Sequence, residues 1–412
     1  HLRVHQKPQQ RSETSCLAQN RRPDPRFRRS LLYANFRLGT LACRGIPATT
    51  RKTCAAVKSL PVATRRLPSL DLYWKPKQAR STKVFGPLER SAIYTGWMTK
   101  PSKVDLVGVG LNATDTLIAL AEYPARGSKV EYRSANVLPG GQVATAVVAC
   151  QQWGMSTRYV GILGNDAAAV LHQEAFARAG VETQIVTVEG GSSPQSLILV
   201  DGGAERTVLC RRDERVTLKP AHLNREWIVN AQALHVDGYD TAAATVAAAW
   251  ARAAGIPVIA DLDELYPGLE KLLENVDYLI VSRDIPSRLT GEPDLEIALR
   301  QMQRRYGCLL TAATLGHDGV LAWDGKQVHH APAYRVPVVD TTGAGDIFHA
   351  GFIYGLLQHW PLERQLDFGC AAAAMNCMAV GARGGIKPVD MIEGFAKTGV
   401  RHDPAYCVSN SD

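Results

Sequence analysis

The sequence predicts an α/β fold in which a mostly parallel central sheet carries helices on both faces, with a small β lid beside it. Three observations support this. Short apolar runs recur from Lys103 onward, stretches of helical length separate them, and two segments instead alternate polar and apolar residues. Apolar strands alternating with helices imply right-handed crossovers and a sheet buried on both sides. Alternating strands imply a sheet with one solvated face.

Taken in order, "VDLVGVG" (104–110), "YVGILG" (159–164), "ALHVDG" (233–238), "PVIADL" (257–262), "DYLIVS" (277–282) and "LLTAATLG" (309–316) read as buried strands. Between them, "VATAVVACQQWG" (143–154), "AAAVLHQEAFARAG" (167–180), "TAAATVAAAWARAAG" (241–255) and "LEIALRQMQRRYG" (295–307) read as helices, each ending at a glycine suited to a left-handed cap. The segments 128–141 and 192–216, the second turning at "DGGAE", read as antiparallel lid strands. Residues 401–412 read as a loose tail.

Hydrophobic residues make up 46% of the 412 and charged residues 21%, an ordinary enzyme composition. No uncharged run approaches the roughly 18 to 20 apolar residues of a membrane span, so no membrane partner is expected. The net charge of +8 is uneven: residues 1–97 hold 20 of the 47 Lys and Arg but 4 of the 39 Asp and Glu. The remaining 98–412 carry 27 basic and 35 acidic groups, an acidic body for which no nucleic-acid partner is expected. The first methionine is Met98, close to the first strand, and the favoured reading starts translation there, with one α/β domain over 98–400. Residues 1–97 are then upstream read-through or an unstructured extension, and an Arg-rich transit peptide is the alternative. Nine scattered cysteines without a CxxC pair argue against disulfide frameworks and zinc sites and point to a reducing cytoplasm.

The chemistry concentrates in "DTTGAGDIFHAGF", beginning at Asp340. Gly343 and Gly345 let the backbone turn closely, and the helix beginning near Ala344 aims unpaired amides at the turn, favouring a phosphoryl group. Asp346, in the first helical turn, is placed to accept a proton from an attacking hydroxyl. An ordinary first-turn acid beside a tight connection is the competing reading at this point. His349 lies one turn beyond Asp346, and His235 reads as a satisfied core residue.

With its upstream motifs, this signature resembles the ribokinase-like (PfkB) carbohydrate kinase family, matched without a gap from Asp340 to Ile353 and in motif order over about residues 103–395. The resemblance implies a ribokinase-like three-layer fold and ATP-dependent phosphorylation of a sugar hydroxyl, with Mg²⁺ required. Asp346 would be the base and Gly343, Ala344 and Gly345 the anion hole. In "GLNATD", Asn112 and Asp115 fall at sugar-binding positions; a carboxylate just past the first strand is also where open α/β sheets bind ligands. "PGGQVAT" matches the double-glycine motif, with Gly140 and Gly141 approaching the sugar. Gln142 and Thr145 stand where many members carry asparagine, a departure from a typical ribokinase or fructokinase.

On the nucleotide side, "TLGHDG" resembles the family's Thr-x-Gly turn, giving Thr314, Gly316 and Gly319. The Asn-x-x-Glu motif falls at "SRDI", with Ser282 replacing asparagine, Ile285 replacing glutamate, and Asp284 a substitute magnesium contact. Relatives hold a monovalent cation behind the anion hole, here K⁺ at Asp340 and the 381–385 loop. "VSRDIPSRLTG" is closest in wording to the ketohexokinase and sulfofructose kinase branches, implying a ketose, with an anionic group as an option. Lys129, Arg133, Arg206, Arg211 and Arg212 are the lid cations that could pair with such a group, Arg206 foremost. A lid-to-lid homodimer is expected by the same resemblance. A ribose or nucleoside kinase and a sugar sensor without catalysis are the alternatives.

Overall fold

The computed structural model describes residues 102–403, apart from 204 and 205. The basic segment 1–97, residues 404–412 and part of the "DGGAE" turn lie outside the described residues. In chain order the strands are β1 (Val104–Val109), β2 (Thr114–Ala119), β3 (Ser134–Pro139), β4 (Thr157–Gly164), β5 (Glu182–Val188), β6 (Gln195–Val200), β7 (Arg206–Arg211), β8 (Ala231–Asp237), β9 (Val258–Leu262), β10 (Tyr278–Ser282), β11 (Leu310–Thr314), β12 (Val320–Trp323) and β13 (Val328–Ala331). The helices are α1 (Gln142–Gln152), α2 (Ala167–Ala179), α3 (Arg225–Val229), α4 (Thr241–Ala253), α5 (Leu269–Leu273), α6 (Ile285–Thr290), α7 (Leu295–Tyr306), α8 (Ala344–Leu357), α9 (Leu362–Asn376) and α10 (Val389–Thr398).

The main sheet runs β13-β12-β11-β10-β9-β8-β1-β4-β5. It is parallel from β5 to β11, and β12 and β13 close one edge as antiparallel strands. Helix ends follow local chemistry. Asp166 caps α2 by accepting the Ala169 amide and Asp294 caps α7 by accepting that of Ile297, while Gly180 and Gly307 end these helices in the left-handed region. Along β1 the side chains divide between two cores: Val107 and Val109 pack on the α4 side with Leu234, Val236 and Ala247. Leu106 joins Val143, Ile280 and Phe352 on the α1 and α8 side. Each such fully buried aliphatic contributes about 1.5–3 kcal/mol, which holds the strand ends that bear the site in register.

A separate four-stranded sheet, β3-β2-β6-β7, forms the lid. Two expectations are corrected here. Asp115, expected just past the end of the first strand, belongs to lid strand β2, paired in register with Leu138 on β3 and Ser196 on β6. The lid is also not wholly antiparallel, because β2 and β6 run parallel. Residues 128–133 form no strand, so β3 begins only at Ser134. The tail begins later than expected, since Arg401 bridges to Tyr334 and pairs with Asp367, and the His402 amide donates to Ala333 O at 2.9 Å. No described helix is long and apolar enough to cross a membrane.

Candidate active site

The "DTTGAGD" turn is built by its first carboxylate. Asp340 accepts the Thr342 amide through Oδ1 at 2.9 Å and the Gly381 amide through Oδ2 at 2.7 Å. The turn is thereby joined to the 381–385 loop, a contact tightened at Gly343. With φ of 77°, a Cβ there would lie 2.6 Å from the Ala382 backbone. Buried Asn376 completes the joint: its Nδ2 donates to Ala382 O at 3.1 Å and its Oδ1 accepts the Gly385 amide at 3.0 Å. Thr342 Oγ1 is buried beside this joint with no hydrogen-bond partner among the described residues.

From this platform α8 begins at Ala344. The Ala344 amide is spent on Thr341 O at 3.2 Å, whereas a Cβ at Gly345 would meet open space. The open approach to the helix end is therefore over Gly345 and Asp346. Burial raises the Asp346 carboxyl to about 6, reinforced by Asp263 and opposed by Arg206 and Arg383. Arg206, on lid strand β7, donates through Nη1 to Thr341 O at 3.2 Å, so the lid cation reaches the anion turn.

On the lid, Asp115 is 6% exposed, and burial followed by the Asp346 charge raises it to about 7. The double glycine permits its position: a Cβ on Gly140 would lie 1.9 Å from Asp115 Oδ2. Gly141, with φ of 91°, starts α1 against the Asn112 backbone. Asn112 is buried and neither side-chain atom makes a hydrogen bond of good geometry within the described residues; the nearby Tyr159 hydroxyl is donated to Gly110 O at 2.7 Å. Gln142 Oε1 is likewise buried and unpartnered, and its side chain acts on Asp261 and Asp263. Buried amide groups without partners are costly unless a polar ligand takes them.

Thr145 is fully buried and its Oγ1 accepts Nε of Arg383 at 3.2 Å, while Nη2 of Arg383 donates to Gly140 O at 2.8 Å. Asp237 holds the chain between β1 and the lid, accepting the Leu111 amide at 2.6 Å and that of Tyr239 at 3.0 Å. At the C-terminal ends of β10 and β11, Ser282 pairs in register with Thr314. Gly316 and Gly319 form the following turn, where a Cβ on Gly319 would lie 2.0 Å from Ala331 O.

The structure separates other sequence candidates from the cavity. Asp284 is largely exposed and bonded to Arg288 at 3.0 Å. Arg212 pairs with Asp240 at 2.8 Å, and Arg211 donates to Ser192 at 3.2 Å. Lys129 and Arg133 are exposed ahead of β3. His349 is buried with Nδ1 2.8 Å from Gly345 O and 3.4 Å from Asp261, and burial lowers it to about 4. Sequence reasoning missed Arg383, Asn376, Asp261 and Asp263 as site residues. The signal for the last two was present, since "ADLD" ends a buried strand where open α/β sheets gather ligands.

Comparison with known proteins identifies the family. Residues 106–388 match the family described as pfkB family carbohydrate kinase. The chain is 28% identical over 278 residues to an ATP-dependent ribose-1-phosphate kinase of Halopiger xanaduensis, covering 65% of this chain and 90% of that one. It is 24% identical to a 5-dehydro-2-deoxygluconokinase of Geobacillus thermodenitrificans, covering 62% and 83%. Its fold is shared with Arabidopsis thaliana ribokinase complexed with ribose and ATP, at 23% identity and a TM-score of 0.63, covering 71% and 99%. Because the family match spans most of the chain, this protein belongs to the pfkB family of carbohydrate kinases.

Proposed function

We propose that this kinase transfers the γ-phosphoryl group of ATP to a primary hydroxyl of a small ketose or anionic ketose derivative. The observation that carries the reading is Asp346 in the first turn of α8, beside the open Gly345 backbone and opposite Asp115. The sugar lies between Asp115, Asn112, the Gly140–Gly141 backbone, Gln142 and Thr145, which orient it. ATP lies along Ser282, Thr314, Gly316 and Gly319. As the sugar oxygen forms its bond to the γ-phosphorus, its proton passes to Asp346 and the bond to the β,γ-bridging oxygen breaks, so ADP leaves with that electron pair. The Gly343–Gly345 turn and Arg206 offset the charge that builds on the transferring group. Lid closure excludes water, limiting ATP hydrolysis.

Two ions fit the residues present. Among the described residues no group of three or more ligating side chains forms a cage. Mg²⁺ would then be held chiefly by water and the phosphate oxygens of ATP. When bound, the metal neutralises phosphate charge. The unpartnered Thr342 Oγ1 beside Asp340 suits a K⁺ ion held by oxygens alone.

A ribose-type substrate is the second reading, favoured by the relatives named for ribose 1-phosphate and aminoimidazole riboside. Exposed Val137, Val208 and Leu209 on the lid support a homodimer that pairs two lids. The test is ADP release with ketoses, sulfosugars, pentoses and nucleosides. A ketose should give the highest kcat/KM; preference for a pentose or nucleoside would replace the ketose reading with the second, and binding without turnover across the panel would indicate a sensor.

A further inference from the structure

The 381–385 loop does more than brace the anion turn, because it sends Arg383 into the sugar side of the cavity. Nε and Nη2 are held by Thr145 Oγ1 and Gly140 O, and the guanidinium carbon lies 5.8 Å from the centre of the Phe176 ring. The third nitrogen, Nη1, has no hydrogen-bond partner among the described residues. Asp115 and Asp346 both feel the charge, yet neither comes within the 4.0 Å of an ion pair. Arg383 is thus a cation with its aim fixed by two hydrogen bonds and its charge unpaired.

Its neighbours leave it little alternative. The side chain is flanked by the double-glycine backbone and Thr145. Arg383 is half-buried, and burial lowers its proton affinity to about 10 against the opposing charges of Asp346 and Asp115. A guanidinium offers donors only, so it can satisfy an oxygen acceptor and repays its desolvation best against an anion. The lid arginines are already engaged: Arg212 with Asp240, Arg211 with Ser192 and Arg206 with Thr341 O.

We propose that Arg383 is a specificity-determining residue that binds, through Nη1, a carboxylate or phosphate ester on the sugar, so that the substrate is an acidic sugar. This rests on the sugar-kinase reading of the same cavity and narrows it. Asp115 then orients neutral hydroxyls, Arg383 anchors the acid group, and the reacting hydroxyl is left for Asp346. The position opposite Thr145, where the sequence departs from the asparagine common in relatives, becomes the place where charge is read.

The test measures ADP release by the full chain with matched sugars: ribose and ribose 1-phosphate, fructose and fructose 6-phosphate, and 5-dehydro-2-deoxygluconate beside a neutral ketohexose. The acidic member of one pair is expected to lead its neutral partner at least tenfold in kcat/KM, and the leading pair separates phosphate from carboxylate. Arg383→Met should cut that acidic-to-neutral ratio at least tenfold, chiefly through KM, and Arg383→Lys should restore part of it. A wild-type preference for neutral sugars, or an equal loss on both members in Arg383→Met, would overturn the assignment. If no sugar releases ADP, the kinase reading of the cavity fails instead. Calorimetric binding of the acidic sugars to wild type and Arg383→Met then decides Arg383: tighter binding lost in the variant supports it, and equal binding refutes it.

Discussion

Arg206 on the lid and Thr341 in the anion turn are joined by a hydrogen bond of 3.2 Å across 135 positions of sequence. The lid therefore brings a positive charge to the turn proposed to hold the transferring group. Arg206→Ala is expected to lower turnover about tenfold, with ADP release in the absence of sugar rising as a share of the total. An unchanged ratio of sugar-dependent to sugar-independent ADP release would show that the lid contact has no part in catalysis.

Asp346→Asn removes the proposed proton acceptor while keeping its shape. Turnover should fall by about 10²–10⁴-fold with little change in far-ultraviolet circular dichroism. Near-normal turnover would refute the assigned base.

The same carboxyl gives two pH dependences. Because it must be ionised to accept a proton and is raised to about 6, kcat/KM should climb with pH through about 6 and level off above it. For stability the sign is reversed. A raised acid contributes stability below the ordinary carboxylate range, and that contribution is lost as pH rises through about 6. Asp346→Asn should therefore melt above wild type at pH 8, the difference closing toward pH 4; a constant difference across that window would contradict the buried charge.

The two glycines of the turn should separate stability from activity. Gly343→Ala forces a side chain into the left-handed region and against Ala382, and is expected to cost about 1–3 kcal/mol in urea unfolding. Gly345→Ala meets no neighbour, so its stability should stay near wild type while its methyl group intrudes on the phosphoryl position and depresses turnover. Matching stability losses in both variants would remove the distinction.

Replacing K⁺ with tetramethylammonium should reduce activity if Thr342 Oγ1 and Asp340 hold a monovalent ion. Thr342→Val should blunt that response. Equal activity in both salts would remove the ion from the scheme.

Much of the fold was legible because buried strands and helices are written in local apolar pattern: all six apolar runs appear as strands of the main sheet. The strands not anticipated are short or peripheral. β12 and β13 have four residues each and form an antiparallel edge, β5 is a half-exposed edge strand, and β2 follows β1 too closely to be read apart from it. Their existence depends on a neighbour to pair with, which local pattern does not reveal.

By itself the sequence made the reaction class legible through a family resemblance, because the signature that carries it is contiguous, from Asp340 to Ile353, and needs no tertiary contact to be read. Tertiary structure alone decided what surrounds that turn. Arg383 meets Thr145 across 238 positions, and Arg206 arrives from the lid. Chemistry carried by one turn is local, whereas charge in a cavity is a sum over side chains that only folding brings together.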